Sequence, residues 1–229
     1  MMVQTSDPFD NSLKINASII TIGDELLIGQ VVDTNSAWIA QELNKTGIWL
    51  RRRVSVGDSK EEITHALDEE SRDADIILIT GGLGPTADDI TKPVLCEYFG
   101  GALVVDEGAL TNVKNIFSKL NRPLIERNLK QAEVPDNCTV IPNNRGTAPG
   151  MWFEKGGKVF VSMPGVPHEM KGMMTDYVIH HLQQHFTFPF IDHRTLLTFG
   201  IGESFLAETI KDWEAQLPAH LKLAYLPNY

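Results

Sequence analysis

Residues 76–91 read Ile76-Ile77-Leu78-Ile79-Thr80-Gly81-Gly82-Leu83-Gly84-Pro85-Thr86-Ala87-Asp88-Asp89-Ile90-Thr91. A short unbroken apolar run closed by glycines is the pattern of a strand buried on both faces, which is how strands of a parallel sheet are placed. Glycines at this spacing let the chain turn sharply and bring backbone N–H groups close to a ligand. A helix expected to follow would aim its N-terminal donors at the same place, a geometry that suits a phosphate. On this reading Asp88 and Asp89 hold a divalent cation beside it. The alternative is a tight strand-to-helix turn whose aspartates cap the helix.

Working outward, the segment before this loop alternates strand and helix patterns. Ala17–Ile22 is a β-branched run ending at Gly23, and Asp33-Thr34-Asn35 supplies N-cap chemistry for a helix carrying Trp38, Ile39 and Leu43. Residues 48–56 alternate Ile48, Leu50, Val54 and Val56 on one face, interrupted by Arg52, and residues 60–72 place Ile63, Ala66 and Leu67 at helical spacing. Val94, Leu95, Tyr98 and Phe99 form a helical stripe behind the glycine loop. This order predicts an α/β fold with a parallel sheet covered by helices on both sides. Ligands of such sheets sit at the carboxyl ends of the strands, where Gly23 and Gly81 both fall.

Beyond the loop, residues 110–120 and 123–132 read as two helices beside the sheet. Residues 139–142, 151–154 and 158–161 read as short strands, the last two joined by Gly156-Gly157 as a hairpin. Pro164-Gly165-Val166-Pro167 is a turn into a long helix over about 168–184, and residues 186–189 look like a linker. Strands over 194–199 and 222–226 and a helix over 203–216 are then expected, the opening of a second small α+β domain cut off at Tyr229. The domain reading is a disordered leader over 1–15, a main domain over 16–186 and the partial α+β domain over 190–229.

Composition narrows the partners. The 229 residues carry 30 acidic and 20 basic side chains, a formal charge of −10, which disfavours nucleic acid as the main partner. Arg51-Arg52-Arg53 is the densest basic run, but in a strand its members alternate faces, so it reads as solvated strand charge. The two cysteines, Cys96 and Cys138, have neither metal-ligand nor disulfide-framework spacing. His181 and His185 stand at i, i+4, yet no glutamate follows in the zinc-protease manner, and a solvated helix face is the favoured reading. No apolar run approaches a membrane span, and the chain reads as cytoplasmic.

Three further segments fall at strand ends: Gly23-Asp24-Glu25-Leu26-Leu27-Ile28-Gly29, Asn143 to Gly150, and Met163 to Met170. Each alone has an ordinary reading as polar loop, irregular loop or helix start. Together with residues 80–91 and Gln131-Ala132, in this order, they resemble the N-terminal domain of the competence/damage-inducible CinA family, within the molybdopterin-binding (MoaB/Mog-like) superfamily. The resemblance runs from Ala17 to about Phe186, and residues from Arg194, including Gly200-Ile201-Gly202-Glu203-Ser204, resemble the start of that family's KH-like domain.

The resemblance implies a three-layer α/β/α fold with a mostly parallel sheet. It also implies an ADP-ribose pyrophosphatase activity that gives AMP and ribose 5-phosphate with a divalent cation, Mg²⁺, Mn²⁺ or Co²⁺. The alternative is a molybdopterin- or nucleotide-binding protein, or an adenylyltransferase of the molybdenum cofactor pathway type. No deamidase activity is assigned. In the hydrolase reading, Gly81, Gly82 and Gly84 cradle the diphosphate through their N–H groups, with Pro85 and the Thr86 hydroxyl beside them. Asp89 with Asp88 holds the cation, Asp24 or Glu25 is the general base, and Thr91 pairs with Asp89 as in the family motif. Asn143 and Thr147 contact sugar or base, Glu169 serves metal or ribose, and Gly146 and Gly165 complete the substrate-binding set. The expected partners are a nucleotide-type small molecule and a second copy in a homodimer, with no nucleic acid and no membrane.

Overall fold

The computed structural model describes residues 15–188, 194–218 and 221–226. The expected leader therefore lies outside the described residues except for Ile15, which packs against the core.

The chain alternates as the hydrophobic pattern predicts: strand β1 (Asn16–Ile22), a single helical turn α1 (Asp24–Leu27), helix α2 (Thr34–Lys45), strand β2 (Trp49–Val56), helix α3 (Lys60–Asp73), strand β3 (Ile76–Thr80) and helix α4 (Thr91–Phe99). Short strands β4 (Leu103–Val105) and β5 (Glu133–Pro135) flank helix α5 (Glu107–Lys119) and the one-turn helix α6 (Glu126–Leu129). Strands β6 (Thr139–Ile141), β7 (Gly150–Lys155) and β8 (Lys158–Met163) precede a helix that runs from Pro167 to His185. Its parts are α7 (Pro167–Met173), a π turn (Met174–Val178) and α8 (Ile179–His185).

Six strands form one sheet in the order β2-β1-β3-β8-β7-β6. The β2, β1, β3 and β8 strands are mutually parallel, β7 pairs antiparallel with β8, and β6 pairs antiparallel with β7. The sheet is thus mostly parallel. Because β3 is buried at every position, its alternate residues feed two cores. Ile76 and Leu78 join Ala17, Ile19, Val159 and Val161 under Ile39 and Leu43 of α2 and Met170, Met173 and Leu182 of the C-terminal helix. Ile77 and Ile79 join Ile20, Ile22, Met151, Phe153 and Phe160 under Ile63 and Leu67 of α3 and Val94 and Leu95 of α4. A sheet covered on both faces is a three-layer α/β/α sandwich.

The three arginines of β2 lie on the sheet's edge. Arg51 pairs with Asp73, and Arg52 with Glu69 and Glu70 of α3. Charge on an edge strand also discourages pairing with other chains. The Gly156-Gly157 loop joins β7 to β8 with both residues at positive φ, 60° and 75°, the two-residue hairpin geometry. Cys96 is buried and free, and Cys138 is free and half-buried.

Several expectations are corrected. The helix read over 123–132 is only the single turn α6, followed by a 3₁₀ turn, because the chain leaves for β5 to pair antiparallel with β4. Residues 186–188, read as part of a linker, instead bring Phe186 and Phe188 against the core that holds Ile39, Leu43 and Leu182; Pro189 lies outside the described residues.

The chain divides into two compact units, Ser12–Ile191 and a second containing Asp192–Tyr229. Among the described residues of the second unit, the regular element is helix α9 (Glu203–Ala215). The strands expected over 194–199 and 222–226 are not formed.

Candidate functional site

The strand register aligns Thr21 with Thr80 and Thr80 with Met163, so β1, β3 and β8 end at one level. The chain leaves β1 toward β2 on one side and returns to β3 on the other, which makes the β1/β3 boundary the switch point where such sheets bind ligands. A cleft of about 410 Å³ opens there.

Its floor has no room for side chains. A Cβ on Gly81 would stand 2.1 Å from the Ile22 carbonyl oxygen, and φ at this residue is +117°. Gly82, at φ +65°, would drive a Cβ to 2.1 Å from Thr91 Oγ1. Beside them, Thr80 Oγ1 donates to the Pro164 carbonyl, and Asn35 Nδ2 donates to Thr80 Oγ1 and to the Gly165 carbonyl at 2.7 Å. Three loops from different strands are thereby locked together at their closest approach.

The glycine loop is closed by its own aspartate. Asp89 Oδ1 accepts from the Gly84 N–H at 2.7 Å, and Oδ2 accepts from the Thr86 N–H at 2.8 Å and from the Thr86 hydroxyl. Thr91 N–H returns to the Gly82 carbonyl at 3.1 Å. Two expectations change accordingly. The aspartates do not cap α4, whose N-cap is Ile90 with no side-chain bond. Nor are all three glycine donors available to a ligand: the Gly81 N–H is bound to the Met163 carbonyl and that of Gly84 to Asp89. Gly82 and Leu83 keep N–H groups without a partner among the described residues, in the stretch that lines the cleft.

Of the residues expected at the site, Glu25, Gly81, Gly82, Gly84, Pro85, Asp89, Thr147, Gly165 and Glu169 line the cleft. Asp24, Thr86, Asp88, Thr91, Asn143 and Gly146 do not. Asp24 instead forms a reciprocal clamp with Asp58, each carboxylate accepting the other's N–H at 3.0–3.1 Å. Burial pushes the Asp58 carboxyl up, the Asp24 N–H pulls it down, and the charges of Asp24, Glu25 and Asp88 reinforce the rise. Asn143 is buried and fully engaged. Its Nδ2 donates to the Ala148 carbonyl and to Glu169 Oε2, and its Oδ1 accepts from the Arg145 N–H. It shapes the wall that presents Thr147 and Ala148, with Asn112 Nδ2 bracing the same loop through the Asn143 and Gly146 carbonyls. Gly146 leaves room for Glu169, whose carboxyl carbon lies 2.1 Å from where a Cβ would be.

The lining contains four carboxylates, Glu25, Asp33, Asp89 and Glu169, and no lysine, arginine or histidine. Asp33 caps α2 through Ser36, Asp89 closes the loop and Glu169 holds Asn143. Glu25 alone among them has no hydrogen-bond partner among the described residues. Of the expected cation pair, Asp89 is engaged on both oxygens and Asp88 lies outside the cleft lining, and among the described residues no group of three or more His, Cys, Asp or Glu side chains able to hold a metal occurs. His181 stacks on Tyr177 at 3.7 Å and His185 meets Trp152 edge-on, so that pair belongs to an aromatic cluster.

A family described as "Probable molybdopterin binding domain" matches residues 18–184. The chain is 36% identical to the crystal structure of the protein CinA from Thermoplasma acidophilum, with a TM-score of 0.65, covering 75% of this chain and 97% of that one. The chain belongs to the CinA family. It is also 51% identical over 214 residues to a CinA-like protein of Cytophaga hutchinsonii, and 45% identical over 216 residues to one of Chloroherpeton thalassium; each match covers 93% of this chain and 51% of the relative. This CinA-type chain thus spans about half the length of those relatives. MoaB of Pyrococcus furiosus, a tungsten cofactor synthesizing protein, shares the fold at 18% identity and a TM-score of 0.50, covering 76% of this chain and 97% of that one.

Sequence reasoning missed Val31 and Val32, and it quoted the segments that hold Thr21, Leu26, Leu83, Gln131 and Val166 without giving these residues a role, although all of them line the CinA-type cleft. The valines had a signal: Val31-Val32 stands in a polar, glycine-bounded loop with no periodic partner.

Proposed function

We propose that the cleft binds a phosphorylated small molecule of the molybdopterin or nucleotide class. The observation that carries this reading is the pair of unpartnered N–H donors at Gly82 and Leu83, in a glycine turn at the switch point of the sheet. Membership of a family described by molybdopterin binding supports the same class. With four carboxylates and no basic side chain in the lining, a polyphosphate enters as its cation-neutralised form, the cation being part of the ligand.

Glu25 favours a second reading, hydrolysis of ADP-ribose. A carboxylate that lines the same cleft and has no hydrogen-bond partner among the described residues takes a proton from water as that water attacks phosphorus. The P–O–P bond then breaks and AMP and ribose 5-phosphate leave.

One experiment separates the two. ADP-ribose with Mg²⁺, Mn²⁺ or Co²⁺ is incubated with the protein and with Glu25→Gln, AMP release is followed by chromatography, and binding by calorimetry. Binding without AMP supports the binding protein. AMP from the wild type but not from Glu25→Gln supports the hydrolase. Neither binding nor turnover of ADP-ribose, AMP or a pterin phosphate overturns both.

A further inference from the structure

Residues 26–32 carry apolar side chains that the core does not use. Leu27, Ile28, Val31 and Val32 are 52, 68, 51 and 79% exposed, while Leu26, Val31 and Val32 line the cleft. On the β8–α7 turn Val166, 52% exposed, lines the same cleft. An exposed apolar rim around a pocket marks a surface that a ligand or partner covers.

The hydrogen bonding of this stretch supplies the second observation. Leu26 N–H returns to the Gly23 carbonyl, Ile28 to Asp24, Gly29 to Leu26, and both Gln30 and Val31 to Glu25. Among the described residues, every hydrogen bond made by residues 25–32 closes within residues 23–34. The stretch is fixed at its ends, where Gly23 N–H binds the Val56 carbonyl, Asp24 clasps Asp58 and Asp33 caps α2. It is a strap held at both ends, whose middle can shift without breaking a bond to the rest of the fold.

We propose that this strap selects the ligand's non-phosphate part. It closes Leu26, Val31 and Val32 over a flat apolar ring whose attached phosphate lies on the Gly82 and Leu83 N–H groups. This rests on the phosphate-binding reading above, and the polar floor and apolar rim act on different halves of one molecule. A ligand with phosphate but no ring gains nothing from the strap.

The test is calorimetric titration of the full chain with AMP and with inorganic pyrophosphate, both with Mg²⁺. Wild type is compared with the Val31→Ser/Val32→Ser double variant and with Val166→Ser on the opposite lip. Amide hydrogen exchange of residues 25–32 is followed in parallel. The expected result is about a tenfold loss of AMP affinity in the double variant, a difference of about 1.4 kcal/mol, with pyrophosphate binding unchanged. Exchange in the strap should slow with AMP and not with pyrophosphate. Equal losses for both ligands, or unchanged AMP binding and unchanged exchange, overturn the strap while leaving the phosphate site standing. Failure of wild type to bind either probe overturns both.

Discussion

At the scale of single residues, the Asp89 carboxylate decides the shape of the glycine loop. It gathers two N–H groups and a hydroxyl from Gly84 and Thr86. Asp89→Ala should therefore cost about 1.5–3 kcal/mol, the range for hydrogen bonds to a charged group. Urea unfolding measures the loss, and accelerated amide exchange at Gly84 and Thr86 should accompany it. Unchanged exchange at those amides would show that the loop does not depend on Asp89. Lys92 makes a second residue-scale case. Its ammonium is buried on α4 and donates to the Lys130 and Gln131 carbonyls, behind a glutamine that lines the cleft. Burial lowers its pKa from 10.5 to about 8. Above pH 8 the folded chain has lost a proton that the unfolded chain keeps, so stability from this group rises with pH until about 10.5. Between pH 8 and 9 the gain is about 1 kcal/mol. The wild type should show it in pH-dependent melting and Lys92→Met should not. Cys138 acts in the opposite sense: burial raises its thiol from 9.0 to about 11, so its contribution is present below pH 9 and is lost as pH climbs through 11.

At the scale of elements, β8 sits inside the sheet with a hydroxyl, Ser162 Oγ, that has no partner among the described residues. Removing a buried polar group that makes no bond relieves its desolvation. Ser162→Ala should stabilise the protein by about 1 kcal/mol in chemical denaturation, and a loss of stability would mean the hydroxyl has a partner. The long elements were legible because their apolar residues repeat at fixed periods. Ile63, Ala66 and Leu67 announce α3, and the run from Ile76 to Ile79 announces a doubly covered strand. Where the signal was short, reading failed. Leu103-Val104-Val105 is three residues of exposed strand, too few to show alternation, and its partner Glu133–Pro135, just after the stretch read as a helix, is equally short. The candidate site was legible as a set of segments, since four loops at one sheet end are fixed by topology. The roles within them were not. Whether Asp89 faces a ligand or its own loop, and whether Asn143 contacts a sugar or braces Thr147, depends on hydrogen bonds between residues far apart in sequence.

At the scale of the whole molecule, the two cores on opposite faces of one sheet share every buried strand. Loosening one face therefore loosens the other, and the Ser12–Ile191 unit should unfold as one cooperative block. Expressed alone, it is expected to give equal calorimetric and van't Hoff enthalpies; a biphasic endotherm would mean that the α2 face and the α3–α4 face melt separately. The same architecture sets what can vary. At Gly81 and Gly82 the ends of β1, β3 and α4 approach so closely that a single added carbon collides with a carbonyl or a hydroxyl oxygen, while the mouth is built from side chains with open space around them. A protein so arranged resists change at its base and tolerates it at its rim. For anyone wishing to give this scaffold a new ligand, the lip can be rewritten residue by residue, and the pedestal beneath it has to be inherited whole.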